Sequence, residues 1–241
     1  MNQRKKAVFN WSGGKDSALA LHKAIEENEF EIVSLLTTIN EETLKSSIHA
    51  IPLEILSRQA ESIGIPLHTV LFAKDLKNYD EKMRETADYY KRQGVTHFIF
   101  GDIFLPDVKA YRESNLNPLE IEVVEPLGDK TSDEVIDDFL KSGIKAKIIV
   151  TQADKLDKTF IGKELDINLV NSLPDNIDAC GENGEYHTLS YAGGLFKEEV
   201  EFLISERSKI SYDIKLDNGQ SKTFEYWQAI FPSQSNMPSR S

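Results

Sequence analysis

The first half of the chain switches between two spacings of apolar residues. Short β-branched runs alternate with longer stretches in which hydrophobics recur every three or four positions, the signature of strands joined by amphipathic helices. Lys6–Asn10 predicts a first strand, and Asp16–Asn28 a first helix with Leu19, Leu21, Ala24 and Ile25 facing inward. Residues 32–38 predict a second strand, followed by a polar loop from Asn40 to Ile51 and a helix over Pro52–Ile63 with proline in its first turn. Ile65–Phe72 and Val95–Phe100 read as further strands around a charged helix, Asn78–Gln93, which Gly94 closes. A short helix over Pro106–Asn115 and a fifth strand at Ile121–Val124 complete this half. Strand and helix in strict alternation predict an α/β fold built on a parallel sheet with crossover helices.

Pro126-Leu127-Gly128 punctuates the pattern, and the domain boundary is placed there: residues 1–126, then 127–231, then a polar tail over 232–241. Thr131-Ser132-Asp133-Glu134 is a capping box that opens a helix running to Ser142. Ala146–Thr151 predicts a strand, Asp154–Leu173 a mixture of helix and loop, and Asp175–Gly184 a turn-rich loop. From Tyr186 onward the pattern becomes antiparallel, with strands at Val200–Ile204, Ser208–Leu216 and Lys222–Trp227 and a hairpin turn at Asp217-Asn218-Gly219. The second domain is thus a smaller α+β unit ending in antiparallel strands.

Between the first strand and the first helix lies Ser12-Gly13-Gly14-Lys15-Asp16-Ser17. A glycine-rich turn entering a helix directs unpaired backbone N–H groups and the positive end of the helix dipole at one point, a place for phosphate. A Walker A loop would need Gly where Phe9 stands and Ser or Thr where Asp16 stands, so γ-phosphoryl transfer loses its main support. The hexapeptide instead resembles the pyrophosphate loop of ATP pyrophosphatases, which cleave ATP between the α- and β-phosphates. Ligands of open parallel sheets sit beyond the carboxyl ends of the strands. That rule puts Ser12–Ser17, Thr37–Asn40 and Gly101-Asp102 on one rim, with Thr37 and Gly101 as further nucleotide-binding positions.

Composition narrows the partners. The 241 residues carry a formal charge of −12, and the second half is the acidic one: residues 1–100 hold 13 Lys+Arg against 14 Asp+Glu, residues 101–241 hold 15 against 26. Such a surface argues against a nucleic-acid footprint. No apolar run reaches the length of a membrane span, and the lone Cys180 cannot form an intrachain disulfide, so a reducing, cytoplasmic setting is expected. A single cysteine also argues against zinc or iron–sulfur chemistry.

A second unusual stretch, Gly181-Glu182-Asn183-Gly184-Glu185-Tyr186, presents two carboxylates on a tight loop. Together with the first loop, it makes the chain resemble the diphthine–ammonia ligase family of the adenine nucleotide α-hydrolase-like (HUP-like) group. The resemblance takes in Leu35–Thr38, His49, Gln59–Leu67, Glu125–Gly128, Leu156-Asp157 and Ile161–Asp166, and spans roughly residues 7–197. It implies ATP and Mg²⁺ as cofactors and an amidation in two steps. ATP adenylates a substrate carboxylate with loss of pyrophosphate, and ammonia then displaces AMP; in the family the carboxylate belongs to diphthine on an elongation factor. Lys15 and Asp16 fall to the first step, with Asp16 either a metal ligand or an acid that suits the helix dipole. Glu182 and Glu185 fall to the second step, orienting or deprotonating the amine or holding the second substrate. Arg112 is either a partner for phosphate or carboxylate or part of a solvated helix face, and His49 either a structural hydrogen-bonder or a substrate contact; Asp102 is grouped with them.

The chain departs from the family pattern at its substrate end. His187 stands where an acid is usual, Asn183 where glycine is usual, Asp102 where a small residue is usual, and His49-Ala50-Ile51-Pro52 replaces His-Thr-Pro-Asn. The competing readings are an RNA-modifying ATP pyrophosphatase, which would want a basic groove, and a non-catalytic adenine-nucleotide-binding module, which would not need Glu182 and Glu185.

Overall fold

The computed structural model describes residues 4–46, 49–73, 78–103, 106–215 and 221–232. The first half builds a mostly parallel six-stranded sheet from β1 (Lys5–Asn10), β2 (Phe30–Asn40), β3 (Lys45–Ser46), β4 (Leu67–Phe72), β5 (His97–Ile99) and β6 (Glu122–Val124). Its crossovers contain α1 (Lys15–Glu26), α2 (Leu53–Ile63), α3 (Tyr79–Arg92) and α4 (Pro106–Leu116). β2 and β5 flank β1 on opposite sides, both parallel to it, while β4 pairs with β2 and β6 with β5. The strand order therefore reverses at β1, which opens a crevice at its carboxyl end. β3 is a two-residue antiparallel addition to the end of β2, inside what the pattern predicts as plain loop; Ser46 and Ile51 close it by exchanging backbone and side-chain hydrogen bonds.

Both faces of this sheet are covered, which is why its strands read as continuous apolar runs. Successive strand residues point to opposite faces. Ala7 and Phe9 of β1 join one buried cluster, with Leu19 and Leu21 of α1 and Ile55 and Leu56 of α2, whereas Val8 joins another, with Ala87 and Tyr90 of α3 and Phe98 of β5. α2 ends at Gly64 in the left-handed conformation, and α5 (Ser132–Lys141) starts in the expected capping box, Thr131 and Glu134 each satisfying the other's backbone N–H.

The second sheet is antiparallel, in the order β8 (Tyr186–Ala192), β7 (Lys145–Gln152), β10 (Ser221–Ile230), β9 (Glu206–Lys215). A short α6 (Ile167–Asn171) lies in the connection after β7. The predicted strand at Val200–Ile204 does not form. Its hydrophobics serve as anchors instead: Val200 is buried and donates its N–H to Tyr191, and the Phe202 ring meets Tyr191 edge-on. The Asp217–Gly219 turn and residues 233–241 of the tail lie outside the described residues. No helix among the described residues is long and apolar enough to cross a membrane.

The two sheets share one core. The cluster that holds Phe9 and Leu19 continues into Val135, Phe139, Ile148, Val150 and Leu189. Between them runs a set of hydrogen bonds that fixes the glycine-rich turn to β8: Ser190 N–H to the Gly13 carbonyl at 2.9 Å, and Lys15 N–H to Thr188 Oγ1 at 2.9 Å. Replacing Thr188 by Val keeps the shape but leaves the Lys15 N–H without its acceptor. Urea denaturation should show a loss of about 1–2 kcal/mol; an unchanged midpoint would mean that this bond does not help to dock the sheets.

Candidate active site at the carboxyl end of the parallel sheet

β1 hands the chain to α1 through a turn that only glycine makes cheaply. Gly13 has φ +82°, and a Cβ there would lie 2.8 Å from Leu56 Cδ2 and 2.9 Å from Gln59 Oε1. Ser12 Oγ accepts the Gly14 N–H, and Ser17 Oγ accepts the Ser12 N–H, so the two predicted hydroxyls hold the turn together. A helix leaves its first-turn N–H groups without intrahelical acceptors. Thr188 takes that of Lys15, and Asp16 and Ser17 follow it along the wall of a cavity of about 1140 Å³.

That cavity gathers most of the residues the sequence singles out. Ser12, Lys15, Asp16, Ser17, Thr37, His49, Gly101, Asp102, Arg112 and Glu182 all line it. Gly13 and Gly14 shape the turn from behind. Gly101 is there for contact with the protein itself: a Cβ would sit 2.7 Å from Ser17 Cα. Glu185 is not brought to the cavity wall. It is 1% exposed, and its carboxylate accepts the N–H groups of Asp178 and Asn183 and the Asn183 side-chain amide, which folds the acidic loop around it.

Two cations of the cavity, Lys15 and Arg112, have carboxylate partners. Lys15 is buried, with Nζ 2.6 and 2.7 Å from the two oxygens of Asp16 and 5.8 Å from the Tyr186 ring centre. Burial works against its charge, but Asp16, with Cys180 and Glu182, outweighs that and holds the ammonium above its ordinary pKa. Arg112 bonds to Asp102 and, at 3.2 Å, to Glu125, and its guanidinium lies 3.9 Å over the Phe100 ring. A stacked, doubly paired arginine is a fixed wall. Glu182 projects into this field from an exposed position on the loop: partial desolvation in the cavity first, then the nearby Asp16, Asp178 and Asp102 carboxylates, push it up to about 7 against the opposing pull of Lys15. A carboxyl titrating near neutrality can both accept and release a proton.

His49 and His187 meet edge-on, with ring centres 4.9 Å apart, and His49 Nε2 crowds Gly14. Burial lowers both, His49 to about 3 with help from His187 and Lys15, and His187 to about 4 with help from Lys15. Both are neutral at physiological pH. Cys180 is buried and donates to the Ser132 carbonyl, and burial raises its thiol to about 12, so it is inert.

Among the described residues no group of three or more His, Cys, Asp or Glu side chains is placed to hold a metal ion. The residues that sequence reasoning passed over are Thr188, Ser190 and, as a structural node, Gln59. Gln59 is legible in hindsight, as a lone amide in the apolar stripe Ile55, Leu56, Ala60, Ile63 of α2.

Two outcomes test this geometry. Gly101→Ala should force the start of α1 aside, at a cost of about 1–3 kcal/mol in denaturant unfolding. Carboxyl ¹³C NMR should show Glu182 titrating at about 7, and Asp16→Asn should lower that value by removing a neighbouring negative charge. A Glu182 titration in the ordinary glutamate range would contradict the crowded-carboxylate arrangement.

Residues 5–117 match the model of the diphthamide synthase N-terminal domain, and residues 129–220 that of the diphthamide synthase C-terminal domain. No curated protein sequence matches. Among solved structures, the chain is similar to the U34-tRNA thiolase NcsA from Methanococcus maripaludis with its [4Fe-4S] cluster, at 18% identity and a TM-score of 0.37, over 58% of each chain. Two domain models in sequence order, spanning both the glycine-rich turn and the acidic loop, carry the assignment: the chain belongs to the diphthamide synthase, or diphthine–ammonia ligase, family.

Proposed function

We propose that the chain is an ATP-dependent amide ligase that adenylates a carboxylate and transfers ammonia to it. Family membership supports an ATP-using enzyme. The observation that carries the finer reading is one cavity in which a pyrophosphate-type loop faces Glu182, an acid poised near neutrality.

In the first step a carboxylate oxygen attacks the α-phosphorus of ATP, the bond to the β-phosphate oxygen breaks, and pyrophosphate leaves. In this reading the N–H groups of Asp16 and Ser17, the Ser12 and Ser17 hydroxyls and the Lys15 ammonium would meet the charge gathering on that leaving group, which is the use of a preorganised polar site; the Lys15 N–H is held by Thr188. Asp16 fits as the protein ligand of Mg²⁺, an ion that binds through one or two carboxylates and takes its other ligands from phosphate and water; bound there, it would neutralise phosphate charge.

In the second step ammonia attacks the acyl carbon, AMP departs with the former carboxylate oxygen, and one proton is lost from nitrogen. Glu182 is assigned to take it, as a carboxyl of the cavity wall raised to about 7. Glu185 acts through the shape of the loop, holding Glu182 in place. His187 and His49 offer neutral donors and acceptors where the family usually has an acid at one position. The acceptor is a carboxylate of the diphthine type on a protein; Arg112, already held by Asp102 and Glu125, would position the wall against which it lies.

The test is a stoichiometric assay with Mg-ATP, ammonium and a diphthine-bearing elongation factor. AMP and pyrophosphate should appear in equal amounts and only with the acceptor present; tight ATP binding without turnover would overturn the ligase reading. Lys15→Ala should reduce pyrophosphate release by 10²-fold or more, on the scale of losing one transition-state donor. Glu182→Gln should spare ATP–pyrophosphate exchange while slowing amide formation by roughly 10²–10⁴-fold. Equal loss of both activities in Glu182→Gln would remove its assignment to the second step.

A further inference from the structure

Gln59 lies outside the cavity wall, yet it is fully buried and every hydrogen-bonding group of its side chain is used. Its amide nitrogen donates to the Gly13 carbonyl at 3.1 Å and to the Ser190 carbonyl at 2.6 Å, and its oxygen accepts the Trp11 indole N–H at 3.0 Å. Three elements meet there: the β1–α1 turn, α2 and β8. The Gly13 carbonyl takes a second bond from Ser190 N–H, so both of its lone pairs point away from the cavity. Leu56, Ile51 and Gln59 close so tightly round Gly13 that no Cβ fits.

A peptide unit can rotate only if its carbonyl and N–H find new partners, and a buried pair has none. With the Gly13 carbonyl held from behind by two donors, the following peptide is set, and with it the direction of the N–H groups entering α1. We propose that Gln59 is a positioning residue for the phosphate loop: it locks the Gly13 carbonyl to β8, so that the anion-binding shape of Ser12–Ser17 exists only when the second sheet is docked. Pyrophosphate binding in one half of the chain is thereby linked to a side chain in α2 and a strand beyond residue 180. The inference rests on the pyrophosphate reading of the loop given above.

The experiment compares wild-type full-length protein with Gln59→Glu and Gln59→Leu, each in a Trp227→Phe background so that Trp11 is the only tryptophan. Two readouts are taken: the affinity for inorganic pyrophosphate with Mg²⁺, and the Trp11 emission. An ionised carboxylate cannot donate to Gly13 or Ser190, whereas a protonated one can donate to one of them. Gln59→Glu should therefore bind pyrophosphate at least tenfold more weakly than wild type at pH 8 and approach it at pH 5.5, and Gln59→Leu should be weak at both. The charged and titratable groups on the elements that meet here are Lys15 and Asp16 at the start of α1, Glu54, Arg58 and Glu61 on α2, and Tyr186, His187 and Tyr191 on β8, with His49 in the loop before α2; the two imidazoles are neutral across this range, and the ratio to wild type at each pH cancels the titration of every group the variants share with it.

Trp11 emission should shift to the blue in Gln59→Leu, since the buried indole exchanges a polar acceptor for an apolar neighbour, and in Gln59→Glu the emission should depend on pH as the affinity does. Variants that melt earlier yet bind pyrophosphate as wild type does while folded would overturn the proposal and leave Gln59 a stability residue only. If wild type itself fails to bind pyrophosphate, the nucleotide reading falls and the proposal with it, while the Trp11 shift would still report the hydrogen-bonded node. Pyrophosphate binding by wild type with pH-independent, undiminished affinity in both variants overturns the proposal alone.

Discussion

The Gly13 carbonyl, caught between the Ser190 N–H and the Gln59 amide, is the constraint on which the rest depends. A carbonyl buried among Leu56 and Ile51 must be paired, because a lost partner costs about 1–3 kcal/mol. Pairing it fixes the turn at positive φ, the turn sets the entry angle of α1, and α1 presents Lys15, Asp16 and Ser17 to the cavity. The same bonds tie β8 to the β1–α1 turn, and β8 is continuous with the loop that bears Glu182. The two halves of the chain are therefore joined at the point where chemistry is expected, and a shared hydrophobic core extends the join.

Around that point the electrostatics are balanced internally. Two unit charges 4 Å apart interact by about 4 kcal/mol at an effective dielectric of 20, so the Lys15–Asp16 and Arg112–Asp102–Glu125 groups are strong local features, whatever the net charge of −12. Asp16 pairs with Lys15, and in the proposed reaction it would be the carboxylate offered to magnesium. Glu182 lies close enough to these acids to feel them and lacks a partner strong enough to keep it ionised, which makes it a base of useful strength. Glu185, three residues on, is tied by backbone and side-chain N–H groups into the loop. Two similar carboxylates thus receive different work from their surroundings.

Much of the fold was legible in the sequence, because buried parallel strands and amphipathic helices leave different periods. Of the rim expected at Ser12–Ser17, Thr37–Asn40 and Gly101-Asp102, Ser12, Lys15, Asp16, Ser17, Thr37, Thr38, Gly101 and Asp102 line the cavity, whereas Ile39 is core and Asn40 lies off the wall. What the pattern hid is tertiary. Val200–Ile204 has strand-like residues, but the chain there stays irregular, with Val200 buried and Phe202 packed on Tyr191 while Leu203 is exposed. Glu185 and Glu182 look alike in sequence; only the Asp178 and Asn183 amide groups separate them. Arg112 is exposed by helix periodicity, yet Asp102 and Glu125 fold it down on Phe100. Gln59, Thr188 and Ser190 act through contacts 46 to 173 residues apart, which no local spacing encodes.

The central claim is that this cavity transfers the adenylyl group to a carboxylate. Isotope transfer tests it most directly: an acceptor with both carboxylate oxygens replaced by ¹⁸O is turned over with Mg-ATP and ammonium, and the nucleotide product is analysed by mass spectrometry. The account predicts AMP containing one ¹⁸O atom per turnover, since the carboxylate oxygen leaves with the phosphorus that it attacked. AMP without the label, or ADP with labelled phosphate, would contradict it.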